Sequence, residues 1–319
     1  MDFRKHSVIH KEARIGENVE IGPFCFIDKD VVIDDGTWIG SNVTIFGGAR
    51  IGKRCKILPN SIIAGVPQNL KYKVESNTAE IGDDTWIGSN VTVFEGARIG
   101  KSCEIFPGAV IAGIPQDLKF AGEQTTAEIG DRTTVREYVT VNRGTKEAWK
   151  TVVGTDCLLM AYAHIAHDCI IGDHVILANN VNLAGHVIVQ DWAILEGLVA
   201  VQQFMCIGEH SFVAGGSLVR KNVPPYVKAA REPLSYVGVN SVGLTRRKFT
   251  ESQIHLIHEI YRRLYVSSYN TNQALEIIEN EFSPSVERDN ILKFVRKFSG
   301  DTGIMRGFRG LNGTNVDED

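Results

Sequence analysis

The stretch VGTDCLLMAYAHIAHDCIIGDHVILANNVNLAGHVIV, residues 153–189, has an aliphatic residue at every sixth position. The same spacing continues through two long runs, from Ile9 to Ile63 and from Val153 to Val219. An α-helix would space its apolar residues by three and four, and a half-buried strand would alternate them, so a period of six fits neither. A parallel β-helix with short flat sides has this period, because each hexad forms one side of a coil. The sequence therefore predicts an all-β solenoid of hexapeptide repeats.

The cysteines follow the same repeat. Five of the six fall four positions after an aliphatic residue, where other hexads have small or branched side chains. These are Cys25, Cys55, Cys103, Cys157 and Cys169. A repeated inward position predicts core packing rather than disulfides or a structural zinc site. Cys206 falls outside this phase, and we expect it to be partly exposed.

Charge and hydropathy exclude two classes of partner. The net charge is −4 and the pI is about 6.2, whereas a nucleic-acid groove needs a clustered basic face. The chain has no apolar stretch of about 18 residues, the length required to span a membrane. Its opening residues, MDFRKHSVIHKEARIG, lack the apolar run of a signal peptide. We therefore predict a cytoplasmic protein with reduced thiols, no nucleic-acid partner and no membrane span.

An internal duplication accompanies the hexads. Residues 37–82 and 85–130 are identical at 31 of 46 aligned positions, at an offset of 48. Because three hexads make a coil of 18 residues, the copied unit amounts to two coils and an excursion of 12 residues. The tandem segments 34–81 and 82–129 should thus lengthen the solenoid without rotating its faces. Each copy contains a Pro-Gln-X-Leu-Lys loop, at 67–71 and at 115–119.

The hexads stop near Pro224, which places the solenoid at residues 1–223. The segment VPPYVKAAREPLSYVGVNSVGLTRRKF shows little periodicity and predicts an irregular connector. Apolar residues at helical spacing then predict three helices, beginning near Thr250, Thr271 and Ser285. Thr250 and Gln253 form a capping-box pattern. Residues 224–308 are therefore assigned to a connector and a C-terminal α-helical domain, and the polar residues 309–319 to a disordered tail.

Candidate chemistry lies where polar residues interrupt the repeat, at His164, His167, Asp168 and His186. Counting from Ile165, the histidine side chains should point outward, and the ring of His186 should lie one coil beyond that of His167, about 5 to 8 Å away. An imidazole beside a carboxylate is suited to act as a general base in acyl transfer. Two alternatives remain open. The four residues could be solvated turn residues, or the three histidines could bind zinc in a hydratase of the β-helical carbonic anhydrase kind.

Five runs of the sequence are specific in combination: LLMAYAHIAHDCIIGDHVILANNVNLAGHV, IPQDLKFAGE, VREYVTVNRGT, NVPPY and GVNSVGLTRRKF. Together they closely resemble the UDP-N-acetylglucosamine 3-O-acyltransferases that begin lipid A synthesis. The resemblance covers nearly the whole chain, apart from the extra copy and the acidic tail. It implies a left-handed parallel β-helix that works as a homotrimer, with active sites between subunits. It also implies acyl carrier protein as the donor partner, through its phosphopantetheine, UDP-N-acetylglucosamine as the acceptor, and no further cofactor or metal.

The resemblance also implies roles for individual residues. His167 matches the general base, Asp168 the residue that orients it, and the N–H of Gly185 the donor to the oxyanion. Gly215 matches the position that measures the acyl chain, and its missing side chain implies a long chain. The residues that match substrate contacts are Gln116, Asp117, Lys119, His164, His186, Gln203, Asn240, Arg246 and Arg247.

The sequence departs from the family pattern at a few positions. Gln202, Val242 and Pro233 stand where many or some members have histidine, glutamate and histidine respectively. In the first loop Asn69 replaces the carboxylate of Asp117, and only the second loop directly precedes the segment leading to His167. The first loop is therefore predicted to be a bystander.

Three other functions are alternatives to O-acyl transfer. One is the related UDP-3-O-acylglucosamine N-acyltransferase, which usually has an N-terminal domain where hexads begin here. The others are the zinc hydratase and a scaffold that merely displays its flat faces.

Overall fold

A computed structural model describes residues 6–67, 78–267, 269–300 and 303–307. Residues 68–71 of the first Pro-Gln-X-Leu-Lys loop and the predicted tail 309–319 lie outside the described residues.

The chain forms a three-sided parallel β-helix, as the period of six predicts. Successive short strands fall in turn on three sheets, called A, B and C here, so that each sheet receives one strand per coil. Sheet A contains Val8–Ile9, Phe26–Ile27, Thr44–Ile45, Ile62–Gly65, Thr92–Phe94, Val110–Gly113, Thr140–Asn142, His164–Ile165, Asn182–Leu183, Ala200–Val201 and Leu218–Val219. Sheet B contains Arg14–Ile15, Val32–Ile33, Ala49–Ile51, Ala79–Ile81, Ala97–Ile99, Thr126–Ile129, Lys150–Val153, Ile170–Ile171, Ile188–Val189 and Cys206–Ile207. Sheet C contains Glu20–Ile21, Trp38–Ile39, Lys56–Ile57, Trp86–Ile87, Glu104–Ile105, Thr134–Val135, Leu158–Leu159, Ile176–Leu177, Ile194–Leu195, Phe212–Val213, Val227–Ala230, Ser235–Val239 and Arg306–Gly307.

The aliphatic residue of each hexad points into the coil. Ile27, Ile45 and Ile63 on sheet A are fully buried, and so are Leu159 and Leu177 on sheet C. The residue before it in each strand points outward, because side chains alternate along a strand. Burial of one apolar residue per side in every coil supplies the hydrophobic core of the solenoid.

Strand register locates the excursions from the coil. Ile33 pairs with Ile51 at a separation of 18 residues, whereas Ile51 pairs with Ile81 at 30, so the first copy contains the predicted 12 extra residues. The second copy repeats this, since Ile99 pairs with Ile129. A further excursion, which the hexads did not indicate, follows in the third unit. There Ile129 pairs with Val153 at a separation of 24, so six extra residues lie between the strands that end at Asn142 and begin at Lys150.

The prediction of an irregular connector after Pro224 is wrong. Strand Val227–Ala230 continues sheet C, strand Ser235–Val239 pairs with it in the antiparallel sense, and helix Ser241–Arg246 follows. The hexads do not indicate these strands, because they lie beyond the last repeat and Ser235–Val239 reverses direction against Val227–Ala230.

Helices follow at the predicted positions. Helix Glu251–Tyr261 continues as a π-helical turn at Arg262–Val266, and helices Thr271–Glu281 and Val286–Phe298 come next. Both halves of the capping box between Thr250 and Gln253 form. None of the helices in the described residues is long and apolar enough to cross a membrane.

The expectation that Cys206 is partly exposed is also wrong, since its exposed fraction is 1%. It points outward from sheet B, but the chain that leaves the solenoid covers it. The side chain of Asn222 accepts a hydrogen bond from the N–H of Cys206, and the N–H of Val223 donates to the Cys206 carbonyl. All six cysteines are free and buried.

Candidate functional site

His167 and Asp168 form a hydrogen-bonded pair at a corner of the β-helix. The Nδ1 atom of His167 lies 2.8 Å from Oδ2 of Asp168. Only 11% of the His167 side chain is exposed, and none of the Asp168 side chain is. The alternative that these are solvated turn residues is therefore wrong for His167 and Asp168, because the chain of the six-residue excursion covers the corner.

Asp168 is held by residues from that excursion and from the next strand. Thr145 donates both its backbone N–H, at 2.8 Å to Oδ1, and its hydroxyl, at 2.6 Å to Oδ2. The hydroxyl of Thr151 accepts a hydrogen bond from the N–H of Asp168. Burial raises the pKa of Asp168, but hydrogen bonds from Thr145 and His167 outweigh it, so the pKa lies below its ordinary value. The group is thus an ionised carboxylate that fixes the orientation of His167.

His186 lies one coil beyond Asp168. The ring centroids of His167 and His186 are 5.2 Å apart and perpendicular, which confirms the predicted proximity. The Nε2 atom of His186 lies 3.3 Å from a carboxylate oxygen of Glu147 and 3.6 Å from Oδ2 of Asp168. The exposed ring of Phe204 stacks on the other face of His186, with centroids 4.7 Å apart. Two carboxylates and two imidazoles therefore converge at this corner.

Gly185 lies beneath the ring of His167, at the same position one coil later. Its N–H makes no hydrogen bond to another atom of the described residues. The peptide group next to the imidazole is thus available to a ligand.

His164 lies on sheet A, where Nδ1 is 2.7 Å from the hydroxyl of Thr140. Burial lowers the pKa of His164, which favours a neutral ring. Among the described residues, the side chains arranged closely enough to share a metal ion are those of His167, Asp168 and His186, whose ligand atoms lie within 4.8 Å of one another. His164 is not part of this group, so the trio of histidines proposed for zinc does not assemble.

The second loop forms its own compact turn. The carboxylate of Asp117 accepts a hydrogen bond from the N–H of Lys119, and its carbonyl accepts one from the N–H of Phe120. The side chain of Phe120 is buried, whereas Gln116 and Lys119 are exposed. Gln116, Asp117 and Lys119 are the predicted residues of this loop. Their hydrogen bonds within the described part of the chain stay inside the loop and do not reach the histidines.

Predicted nucleotide contacts lie at the start of the C-terminal region, where Asn240 serves as a helix cap. It accepts from the N–H of Gly243 and donates to the carbonyl of His210. Arg247 is half-buried, with its guanidinium 5.3 Å from the centroid of Trp192 and 3.4 Å from Nδ1 of His210.

The remaining predicted positions are dispersed along the surface. They are Gln202, Gln203, Gly215, Arg246 and Val242, all exposed, and Pro233, which borders a cavity of about 940 Å³ in the C-terminal region. Among the described residues, the hydrogen bonds and ring contacts of His167 are made with Asp168 and His186 and with none of these positions.

Sequence reasoning missed Thr145 and Glu147. Both belong to the six-residue excursion, which interrupts the hexads without shifting their phase. The signal was present in the internal repeat, since Thr145 stands where the two preceding units have Ala49 and Ala97.

Two family models match the chain. One, described as UDP-N-acetylglucosamine O-acyltransferase, domain 2, covers residues 222–307. The other, bacterial transferase hexapeptide (six repeats), covers residues 30–65 and 150–185.

Curated relatives are similar over most of their length. The acyl-[acyl-carrier-protein]–UDP-N-acetylglucosamine O-acyltransferase of Chlorobaculum parvum is 40% identical over 289 residues, which cover 90% of this chain and 91% of the relative. The enzyme of the same name from Bartonella quintana is 31% identical over 292 residues, covering 91% and 89%.

Solved structures of similar proteins belong to UDP-N-acetylglucosamine acyltransferases as well. The UDP-N-acetylglucosamine acyltransferase of Bacteroides fragilis is 39% identical, with a TM-score of 0.65 and coverage of 94% of this chain and 98% of that one. The enzyme from Francisella novicida is 30% identical, with a TM-score of 0.74 and coverage of 98% and 96%.

Proposed function

We propose that this chain, which belongs to the UDP-N-acetylglucosamine O-acyltransferase family, transfers an acyl group from acyl carrier protein to the 3-hydroxyl of UDP-N-acetylglucosamine. The observation that carries the proposal is the imidazole of His167, held by the buried carboxylate of Asp168 beside the N–H of Gly185, which has no partner among the described residues. The product would be the first intermediate of lipid A synthesis. The N-acyltransferase and the zinc hydratase are not favoured, because the curated relatives are named O-acyltransferases.

The geometry suits His167 as the general base. Because Nδ1 faces the carboxylate of Asp168, it carries the proton, and Nε2 is left to accept one. Nε2 takes the proton of the sugar hydroxyl while the hydroxyl oxygen attacks the carbonyl carbon of the thioester. Asp168 stays ionised and stabilises the imidazolium that forms.

The N–H of Gly185 acts in the next step. As the tetrahedral intermediate forms, negative charge collects on the former carbonyl oxygen, and a fixed N–H aimed at that oxygen stabilises it. The carbon–sulfur bond then breaks, the phosphopantetheine thiol leaves, and the imidazolium returns its proton to the sulfur. No metal or further cofactor enters this sequence.

The proposed substrate contacts surround this centre. We assign Gln116, Asp117, Lys119, His164, His186 and Gln203 to the sugar, the diphosphate and the pantetheine arm. Asn240, Arg246 and Arg247 are assigned to the nucleotide, since guanidinium groups pair with phosphate oxygens. Gly215, exposed and without a side chain, is assigned to the end of the acyl chain.

A homotrimer would complete the site, because the nucleotide-contact residues of one chain lie apart from its own His167. Exposed apolar side chains support such an assembly. Tyr138 and Tyr162 stack with centroids 5.3 Å apart, and each is more than half exposed, as is Leu198. An exposed stack of aromatic rings is apolar surface that a partner subunit can bury. The six free cysteines suit a reducing compartment, so we place the trimer in the cytoplasm.

The test is an acyl-transfer assay with mixed 3-hydroxyacyl carrier proteins and UDP-N-acetylglucosamine, read by mass spectrometry of the product. We expect ester formation at the 3-hydroxyl and a preference for a long chain. His167→Ala should lower kcat by about 10²–10⁴-fold, the usual contribution of a general base. Light scattering should give the mass of a trimer for both proteins. An intact His167→Ala trimer with full activity would exclude this role for the imidazole.

A further inference from the structure

Two coils of this β-helix follow the same backbone course, but only one supports the histidine site. After a bulge, Phe94 pairs with Gly65 at the base of the first loop, just as Asn142 pairs with Gly113 at the base of the second. The next residues are also equivalent. The N–H of Glu95 donates a hydrogen bond to the carbonyl of Gly65, and the N–H of Arg143 donates one to the carbonyl of Gly113. The coil that contains residues 94–97, called the reference coil here, can therefore be compared with the coil that contains residues 142–145, called the site coil.

Two of the three differences introduce polar side chains, and the third replaces one buried charged residue with another. Where the reference coil has Phe94, Glu95 and Ala97, the site coil has Asn142, Arg143 and Thr145. The side chain of Arg143 is fully buried, and those of Asn142 and Thr145 nearly so. A buried polar side chain costs free energy unless its hydrogen bonds are made, so the partners of these residues indicate what they hold.

Thr145 holds Asp168. Its hydroxyl and N–H together bind both carboxylate oxygens, and the carboxylate in turn binds Nδ1 of His167. Ala97 in the reference coil has no hydroxyl with which to do this. Ala97 is instead the first residue of a strand in sheet B. Thr145 lies in the six-residue excursion, which also places Glu147 beside His186.

Asn142 holds the base of the second loop. Its side-chain N–H donates to the carbonyl of Ile114 at 2.7 Å, one residue before Pro115. Arg143 braces the same place, since its guanidinium donates to the carbonyls of Ala112 and Glu95. In the reference coil the equivalent residue is Phe94, whose ring lies beside Gly65 and has no hydrogen-bond donor.

We infer that Asn142 and Thr145 are positioning residues for acyl transfer, with Thr145 fixing the Asp168–His167 pair and Asn142 fixing the loop that presents Gln116, Asp117 and Lys119. The inference rests on the proposed function for its kinetic consequences. The four residues 142–145 thereby join the substrate loop and the general base through one rigid segment. Phe94, the equivalent of Asn142 in the duplicated unit, has no polar side-chain atom with which to make the hydrogen bond of Asn142.

The two effects should separate in kinetics. Thr145→Val removes the hydroxyl without changing the shape, and we expect kcat to fall about 10-fold with KM unchanged, as for the loss of an outer partner of a reacting group. Thr145→Ser should restore kcat. Asn142→Asp removes the donor to Ile114, and should raise KM for the acceptor more than it lowers kcat. Thr85→Val is the matched control, because Thr85 buries a hydroxyl bonded to the Gly100 carbonyl in the duplicated coils, away from the histidines.

A spectroscopic readout keeps the inference independent of turnover. The ¹⁵N shifts of labelled histidine report which nitrogen of His167 carries the proton, and we expect an Nδ1–H tautomer in the parent that becomes mixed in Thr145→Val. An inactive parent that shows this change would refute the proposed function and leave the positioning role standing. An active parent with unchanged kcat and tautomer in Thr145→Val would overturn that role. So would equal losses in Thr145→Val and Thr145→Ser, which indicate packing alone.

Discussion

The ring of His167 rests on the backbone of Gly185 so closely that a Cβ on residue 185 would lie 2.6 Å from Cε1 and 2.8 Å from Nε2. Gly185→Ala must therefore displace the imidazole. A displacement of about 1 Å can cost 100-fold in rate, so we expect kcat to fall by about that factor while the fold persists. Steady-state kinetics with a thermal melt would measure both effects.

Gly197 offers the matched control, because a Cβ there would come no closer than 3.4 Å to any atom outside its immediate neighbours, in this case the carbonyl of Asn179. Gly197→Ala should keep the parent's kcat. Parental turnover in Gly185→Ala would mean that the position of the ring is not critical.

The solenoid could be predicted from the sequence because its core is built from a short repeating pattern. One inward aliphatic residue per hexad, such as Ile165 or Leu183, both fixes the register and supplies the core, so period and fold carry the same information. The helices were readable for a similar reason, since the caps at Thr250 and Ser285 are local hydrogen bonds.

The site could be predicted from the sequence only in part. The histidines stood out as polar residues in an aliphatic repeat, but the burial of Asp168 depends on Thr145, which is 23 residues away and reached through an excursion that leaves the phase intact. Cys206 is covered by Asn222 and Val223 beyond the repeat. Such contacts between distant segments have no periodic signature.

Chelation should leave acyl transfer unchanged. The ligand atoms of His167, Asp168 and His186 lie close enough to share an ion, but the proposed mechanism needs Nε2 of His167 free to accept a proton. Activity after dialysis against EDTA, compared with the same protein dialysed without it, measures this. A loss that added zinc restores would contradict the metal-free mechanism.

Deletion of residues 34–81 should give a shorter active enzyme. Ile33 would then precede Gly82 and pair with Ile99, the partner that Ile81 has now, so every downstream strand keeps its face. The second loop and residues 142–145 are untouched. Activity measured alongside light scattering should match the parent, and a folded trimer without activity would show that the first copy contributes to the reaction.

Acid should weaken the packing of the C-terminal region through His210. Its ring lies between Trp192 and Tyr226, with Phe249 at its edge and Arg247 at Nδ1. Burial, with a smaller effect of Arg247, lowers the pKa of His210 to about 4. An unfolded histidine has a pKa of about 6.5.

Between these values the unfolded chain binds a proton that the folded chain does not, so the free energy of unfolding should decrease as pH falls from about 6.5 to 4. His210→Phe retains an aromatic ring but cannot titrate, and we expect a shallower dependence of the urea midpoint on pH in this window. Part of the slope should remain, because burial also lowers the pKa of His164. Equal slopes in the parent and in His210→Phe would show that His210 is not the group responsible.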